Sequence, residues 1–382
     1  MPLRVDVNPA LLTWARERSR VERADLERKF PKLGEWESGD RAPTLKQLES
    51  FANATNTPMG YLLLQEPPDE PLPIPDYRTM RDEGVERPSP DLLDTIFQSQ
   101  QRQEWYRDYA VATGEEPLAF VGSVSANTPI EEAARAMRDA LGFGVAERGP
   151  TWTGALRLLI DQAENVGVLV MVNGIVGSNT HRKLDPREFR GFALVDPIAP
   201  VVFVTGADTK AAQIFTLAHE LAHVWLGQSA LSDVEPRVAE GVEAERWCNR
   251  VAAEFLVPHD AIQQDFNPQA NLPEELDRLA RRFKVSTLVV LRRLHDVGHL
   301  TWDAFRNAYE EEGERLHELR TEGEGSGGNF YSTLPLRVSR RFARAVVGST
   351  LEGQTLFGDA FHMLGFKKAA TFFELASRLR EG

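Results

Sequence analysis

The chain has 382 residues, 42% hydrophobic and 26% charged, with a formal net charge of −13. This is the balance of a soluble protein of two or three domains, and its acidity excludes a body that coats nucleic acid through concentrated Lys and Arg. A single cysteine, Cys248, excludes an intramolecular disulfide framework and fits a reducing compartment.

The opening MPLRVDVNPA lacks the apolar core of a signal peptide, and the longest apolar stretch, 166–177, is too short to span a bilayer. The expectation is a cytoplasmic protein with no membrane partner. Residues 8–65 read as an all-helical module. Asn8-Pro9 supplies an N-cap and first helical residue, Pro31 opens and Gly39 ends a short helix, and Thr44 caps a helix with Leu45, Leu48, Phe51 and Ala52 on one face. The acidic, proline-rich run 66–79 predicts an extended connector. Two readings of it stand: an inert spacer, or a strand-like segment lying in a cleft and holding it shut.

A large mixed domain is expected over 80–320. Helices are predicted over 90–145 and 152–167, followed by three strand-like runs, VLVMVN, GFALVD and PVVFVTG. The next helix contains FTLAHELAHVWLG, and another contains EAERWCNRVAAEFLVP, stopped by Pro258. Residues 273–301 have the pattern of a second helix-turn-helix, with Val285-Ser286 at the turn. TEGEGSGG (321–328) reads as a flexible linker, and 329–382 as a helical C-terminal region without evident chemistry.

The chemistry centres on His219-Glu220-x-x-His223. Residues four apart share a helix face, so both imidazoles reach one ion, while Glu220 is turned about 100° from His219. Zinc lowers the pKa of a bound water to about 7, and a carboxylate beside it takes the proton. A helix with apolar flanks is expected to be buried, and PVVFVTG just before it is expected to form a sheet edge to which a peptide could add. A third ligand should come from a separate helix, where Glu243, Glu245 and Glu254 are the candidates. Asn249, four residues after Glu245, is a candidate to orient a ligand imidazole. His181 and His259 lie near predicted loops and are candidates for steadying an oxyanion.

The HExxH helix followed by Glu245…Cys248-Asn249-Arg250-Val251-Ala252…Phe255-Leu256-Val257-Pro258 resembles the ImmA/IrrE-type metallo-endopeptidases, whose later helix reads roughly E-x-x-A-N-x-F-A-x-x-L-L-x-P. The resemblance places the third ligand on Glu245. It implies an α+β, zincin-like, gluzincin-type domain with zinc, or manganese, held by His219, His223 and Glu245, and with Glu220 as base. Trp36-Glu37-x-Gly39-x-x-x-Pro43-Thr44 resembles the XRE-type helix-turn-helix domain, which implies DNA binding through 8–65, with Lys32 and Arg41 as the candidate contacts. The two together imply limited cleavage of a protein substrate, a repressor or antitoxin, in a phage or stress response. The alternatives are a transcription regulator or antitoxin whose metal site senses or stabilises without cleavage. The pattern leaves the oligomeric state open.

Overall fold

The computed structural model describes residues 3–76, 87–232, 243–321 and 335–381. Residues 77–79 of the proline-rich connector and 322–328 of the glycine-rich run lie outside the described residues. The chain forms two compact units, one of Met1–Pro73 with Gly84–Ile96 and the other of Ile74–Glu83 with Phe97–Gly382.

The first unit contains α1 (Pro9–Ser19), α2 (Arg23–Lys29), α3 (Leu33–Glu37), α4 (Leu45–Ala54) and a 3₁₀ turn at Met59–Leu63. Local signals place the starts of α1 and α4. The Asn8 side chain accepts from Ala10 N with Pro9 as first residue, and Thr44 forms a reciprocal capping box with Gln47. The apolar faces meet in one core, where Phe30 lies edge-on to Phe51 at 5.6 Å and Trp36 lies edge-on to Phe51 at 6.4 Å.

In the second unit, α5 (Pro90–Ala112, its first residues belonging to the first unit), α6 (Ile130–Leu141) and α7 (Trp152–Asn165) precede a small sheet. Its strands are β1 (Leu169–Asn173), β4 (Gly191–Leu194), β5 (Val201–Thr205) and β6 (Ala230–Ser232), in the order β1-β5-β4-β6. The β1–β5 pair is parallel and the β5–β4 and β4–β6 pairs are antiparallel. Between β1 and β4, β2 (Ile175–Val176) and β3 (Asn179–Lys183) form a separate hairpin.

The expectation that PVVFVTG forms a sheet edge is corrected. β5 lies inside the sheet with all five residues buried, as a continuous apolar run demands when a strand is covered on both faces and paired on both sides.

α8 (Lys210–Leu226) crosses this sheet against β4 and β5, and α9 (Glu243–Leu256) packs on α8 and α6. Then follow α10 (His259–Asp265), α11 (Leu272–Phe283), α12 (Thr287–Asp296), α13 (Trp302–Thr321), α14 (Arg340–Leu351), α15 (Phe357–Leu364) and α16 (Ala369–Glu381). This is an α+β architecture dominated by helix.

Arg148 ties the helix ends together. It is 1% exposed, lies over the Phe143 ring at 4.8 Å, and donates to Phe283 O at 2.8 Å and Phe255 O at 3.2 Å as well as to Leu256 O. These are C-terminal carbonyls of α9 and α11 that helix geometry leaves unpaired. Burial draws the Arg148 pKa down to about 9. Arg148→Met keeps the apolar volume but strips the carbonyls of their donors, and is expected to cost about 3 kcal/mol. Urea unfolding measures it, and an unchanged midpoint would show that these carbonyls find other partners.

Candidate metal centre

α8 is buried continuously from Gln213 to Leu226, so its orientation is set by packing on every side. Both of its ends are also held. At the N-terminus Thr209 accepts from Ala212 N, and the Gln213 side-chain amide donates to Gly206 O and Asp208 O at 3.1 and 2.6 Å. At the C-terminus Gly122 N and Val124 N donate to Val224 O and Trp225 O at 3.1 and 3.3 Å. Gly227 ends the helix with φ 79°, and a Cβ there would lie 2.9 Å from Gly122 Cα, so the two chains meet glycine to glycine.

Within this frame His219 and His223 point their Nε2 atoms at one spot, 3.1 Å apart. α9 delivers Glu245 to the same spot, with Oε2 3.2 Å from His219 Nε2 and Oε1 2.9 Å from His223 Nε2. All three are buried, the histidines completely. Two nitrogens on a tetrahedral zinc lie about 3.3 Å apart, and a carboxylate completes a three-residue donor set, so the trio fits a divalent ion. It is the group of buried ligating side chains that converges among the described residues.

Glu220 is fully buried one helical step away. Burial, and then the charge of Glu245, push its pKa well above the ordinary carboxylate range. Ser232 beside it eases this in part, although neither Glu220 oxygen has a well-formed hydrogen bond among the described residues. Burial also opposes ionisation of Glu245, but the two imidazoles against it outweigh burial and hold its carboxyl far below the usual range. Burial lowers the pKa of His223, favouring the neutral imidazole that a metal requires.

The other candidates separate. Glu243 is exposed, and Glu254 is buried in an ion pair with Arg293 and accepts from His259 N at 3.2 Å, so neither joins the trio. Among the described residues the Asn249 Oδ1 is buried without a hydrogen-bond partner, and no hydrogen bond links it to either imidazole. His181 is exposed on β3, in the hairpin outside the main sheet, and His259 begins α10. Cys248 is buried, and burial raises its pKa well above the ordinary thiol value. In the first unit Lys32 precedes α3, and Arg41 pairs with Glu35 at 3.4 Å.

Two residues of the site were not singled out from the sequence. Ser232, on β6, lies 3.2 Å from His219 Nε2 and donates to Glu245 Oε1 at 3.3 Å; a serine in a three-residue strand carries no signal of this. Gly191 opens β4 under α8, where a Cβ would stand 2.8 Å from Phe203 O, 2.6 Å from Thr216 Cγ2 and 3.0 Å from Glu220 Oε1. A glycine within a strand run is the one signal available for it, because it marks a close approach.

The sheet edge at β6 is partly covered by the connector. Leu231 N donates to Pro75 O at 3.0 Å, Asp76 pairs with Leu231 in a parallel bridge, and Ile74 is buried.

Compared with known families, residues 163–295 match the family model Peptidase_M78, described as the IrrE N-terminal-like domain, a match that spans the sheet, α8 and α9. Residues 338–378 match a domain of unknown function, DUF8813. No curated protein matches the chain.

Elemental analysis of the full-length protein is expected to find close to one divalent ion per chain. His223→Ala and Glu245→Ala lose it, and Glu220→Gln keeps it. Chelation should lower the melting temperature of the wild type and leave that of His223→Ala unmoved, since only the former gains stability from binding. A wild type that takes up no metal on reconstitution at neutral pH would refute the donor assignment.

Proposed function

We propose that residues 163–295 form the core of a metal-dependent endopeptidase of the ImmA/IrrE type, and that the protein makes limited cuts in a repressor or antitoxin. The observation that carries the first part is the convergence of His219, His223 and Glu245 with Glu220 one helical step away, inside the segment matched by Peptidase_M78. The second part rests on the resemblance of the whole layout.

His219, His223 and Glu245 would hold the ion. Bound there, a divalent ion supplies Lewis acidity, polarising a carbonyl and lowering the pKa of a coordinated water. Glu220 takes the proton of the attacking water on its carboxylate and returns it to the leaving amine. Its buried setting suits this role, because raised proton affinity brings a carboxylate nearer the working pH. Gly191 keeps space beside the Glu220 carboxylate by carrying no side chain. Ser232 steadies Glu245 from the strand side.

A second reading, in which the ion stabilises or senses without cleavage, has one observation in its favour. Both histidines and Glu220 are 0% exposed, and structural metal sites are closed whereas catalytic ones keep a position open. The two readings part at Glu220, since a structural site has no use for a carboxylate beside a water.

DNA contact by the first unit rests on its resemblance to the XRE-type domain. Arg16 and Arg23 pair with Glu37, Arg41 with Glu35, and Arg18 with Glu70, so several cations that would grip phosphate are already engaged. Docking to a protein partner and a purely structural role are the alternatives for this unit.

Glu220→Gln is expected to retain metal and fold while cleavage of a cellular protein mixture, followed as new N-termini, falls by about 10²–10⁴-fold. Equal yields of new termini from the variant and the wild type would leave the sensing reading in place. Removal of residues 66–79, which frees the β6 edge, is expected to raise the cleavage rate; an unchanged rate would make the connector an inert spacer.

A further inference from the structure

Away from the metal trio, the second unit holds a cleft of about 410 Å³ between α5, the β2–β3 hairpin and the segment running from α15 to Lys367. Among the described residues its charged lining consists of Arg102, Arg182 and Lys367, with no Asp or Glu, in a chain whose net charge is −13. The third wall belongs to the 338–378 segment, for which the family match supplies no role.

Arg102 is the unusual residue. Among the described residues of this unit three arginines are buried: Arg102, Arg148 and Arg293, at 8%, 1% and 8% exposure. Arg293 is neutralised by Glu254, and Arg148 donates to three carbonyls. Arg102 has neither. Its Nε donates to Met363 O at 3.1 Å, and Nη1 lies 3.9 Å from the Met171 sulfur, a weak acceptor. Among the described residues no carboxylate pairs with it. Burial alone depresses its pKa, to about 10. A guanidinium has five donors in a planar fork, and burying it without a counter-charge is costly.

The walls are built to close around this group. Gly365, at φ 73°, approaches the hairpin so tightly that a Cβ would lie 2.5 Å from Ser178 Oγ. Gln98, one turn before Arg102 on the same helix face, reaches the turn of the hairpin at Gly177 and lines the cleft with its amide. The result is a cation on the floor, a second at the rim, amide and hydroxyl groups around them, and apolar surface from Val176, Phe361 and Phe366. Pockets of this size with a few convergent polar groups are what small ligands occupy.

We propose that this cleft binds a small organic anion, its carboxylate or phosphate group held by Arg102 and Lys367 and its apolar part against Val176 and the two phenylalanines. The site is separate from the metal trio and does not depend on its being a peptidase.

Calorimetric titration of the full-length protein with inorganic phosphate and, separately, with succinate, at matched ionic strength, tests this. At least one probe is expected to bind the wild type saturably at one site per chain, and the stronger one identifies the head group. Arg102→Met should weaken that binding by about tenfold or more, which corresponds to about 1.4 kcal/mol. In anion-free buffer the same variant should melt higher than the wild type, because an uncompensated buried charge has gone. Lys367→Gln, an exposed change that leaves the fold alone, should also weaken binding and keeps the test open if Arg102→Met fails to fold. Absence of saturable binding by either probe, or affinities unchanged in both variants, would overturn the assignment. So would binding abolished by His223→Ala and retained in Arg102→Met, which would place the anion at the trio.

Discussion

Two packed helices bring two histidines and a glutamate able to ligate a metal to one interior point, and the cost of burying that polar cluster is the constraint that the second unit answers. A carboxylate and two imidazoles removed from water must compensate one another or be compensated by an ion. The geometry does the first at 2.9 and 3.2 Å, and the facing nitrogens leave a place for the second. Such convergence tolerates little slippage, because a displacement of α8 by one residue would rotate both histidines about 100° away from Glu245. The register is therefore held at each end. Side-chain and backbone donors satisfy the carbonyls that flank α8, and the Gly122–Gly227 contact admits the chain that supplies them at its C-terminus.

What the sequence made legible follows from which interactions are local. The caps at Asn8 and Thr44 act within three residues, and the sequence shows them as plainly as the structure does. The i, i+4 histidines likewise lie within one helix. Glu245 comes from another helix, and choosing it over Glu243 and Glu254 took a family resemblance. The structure then distinguishes the three by their surroundings: Glu243 meets solvent, Glu254 meets Arg293, and Glu245 meets the histidines. The order of the strands was not legible, because PVVFVTG reads alike as an edge or a central strand until its neighbours are known. Nor was β6, whose three residues owe their extended shape to pairing with β4. Gly191 and Ser232 belong to the same class, since their importance lies in what stands across from them.

The sheet order also changes how access to the trio should be pictured. With β5 inside, the edge nearest the trio is β6, which carries Ser232 at one end and accepts the connector along its outer side. The connector is proline-rich, and proline suits this position: it has no amide hydrogen to leave unpaired, yet its carbonyl still accepts from the strand. A bridge of so few residues is weak, and on the proposed reading that leaves the edge open to a competing strand. A strongly paired strand in the same place would close it permanently.

Burial at Glu220 serves two ends that pull against each other. It raises the proton affinity of the carboxylate, which a base needs, and it excludes the water and peptide on which that base would act. On the proposed reading such a site would act only after something moves, and the elements differ in how firmly they are held. α8 is clamped at both ends and α9 is packed against it, so shifting either would scatter the donors. β6 is three residues long and carries no ligand of the trio, only Ser232, whose bond to Glu245 spans 3.3 Å. On that reading the strand side is where the site would open with the three donors left in place, since β6 pairs with β4 over only three residues.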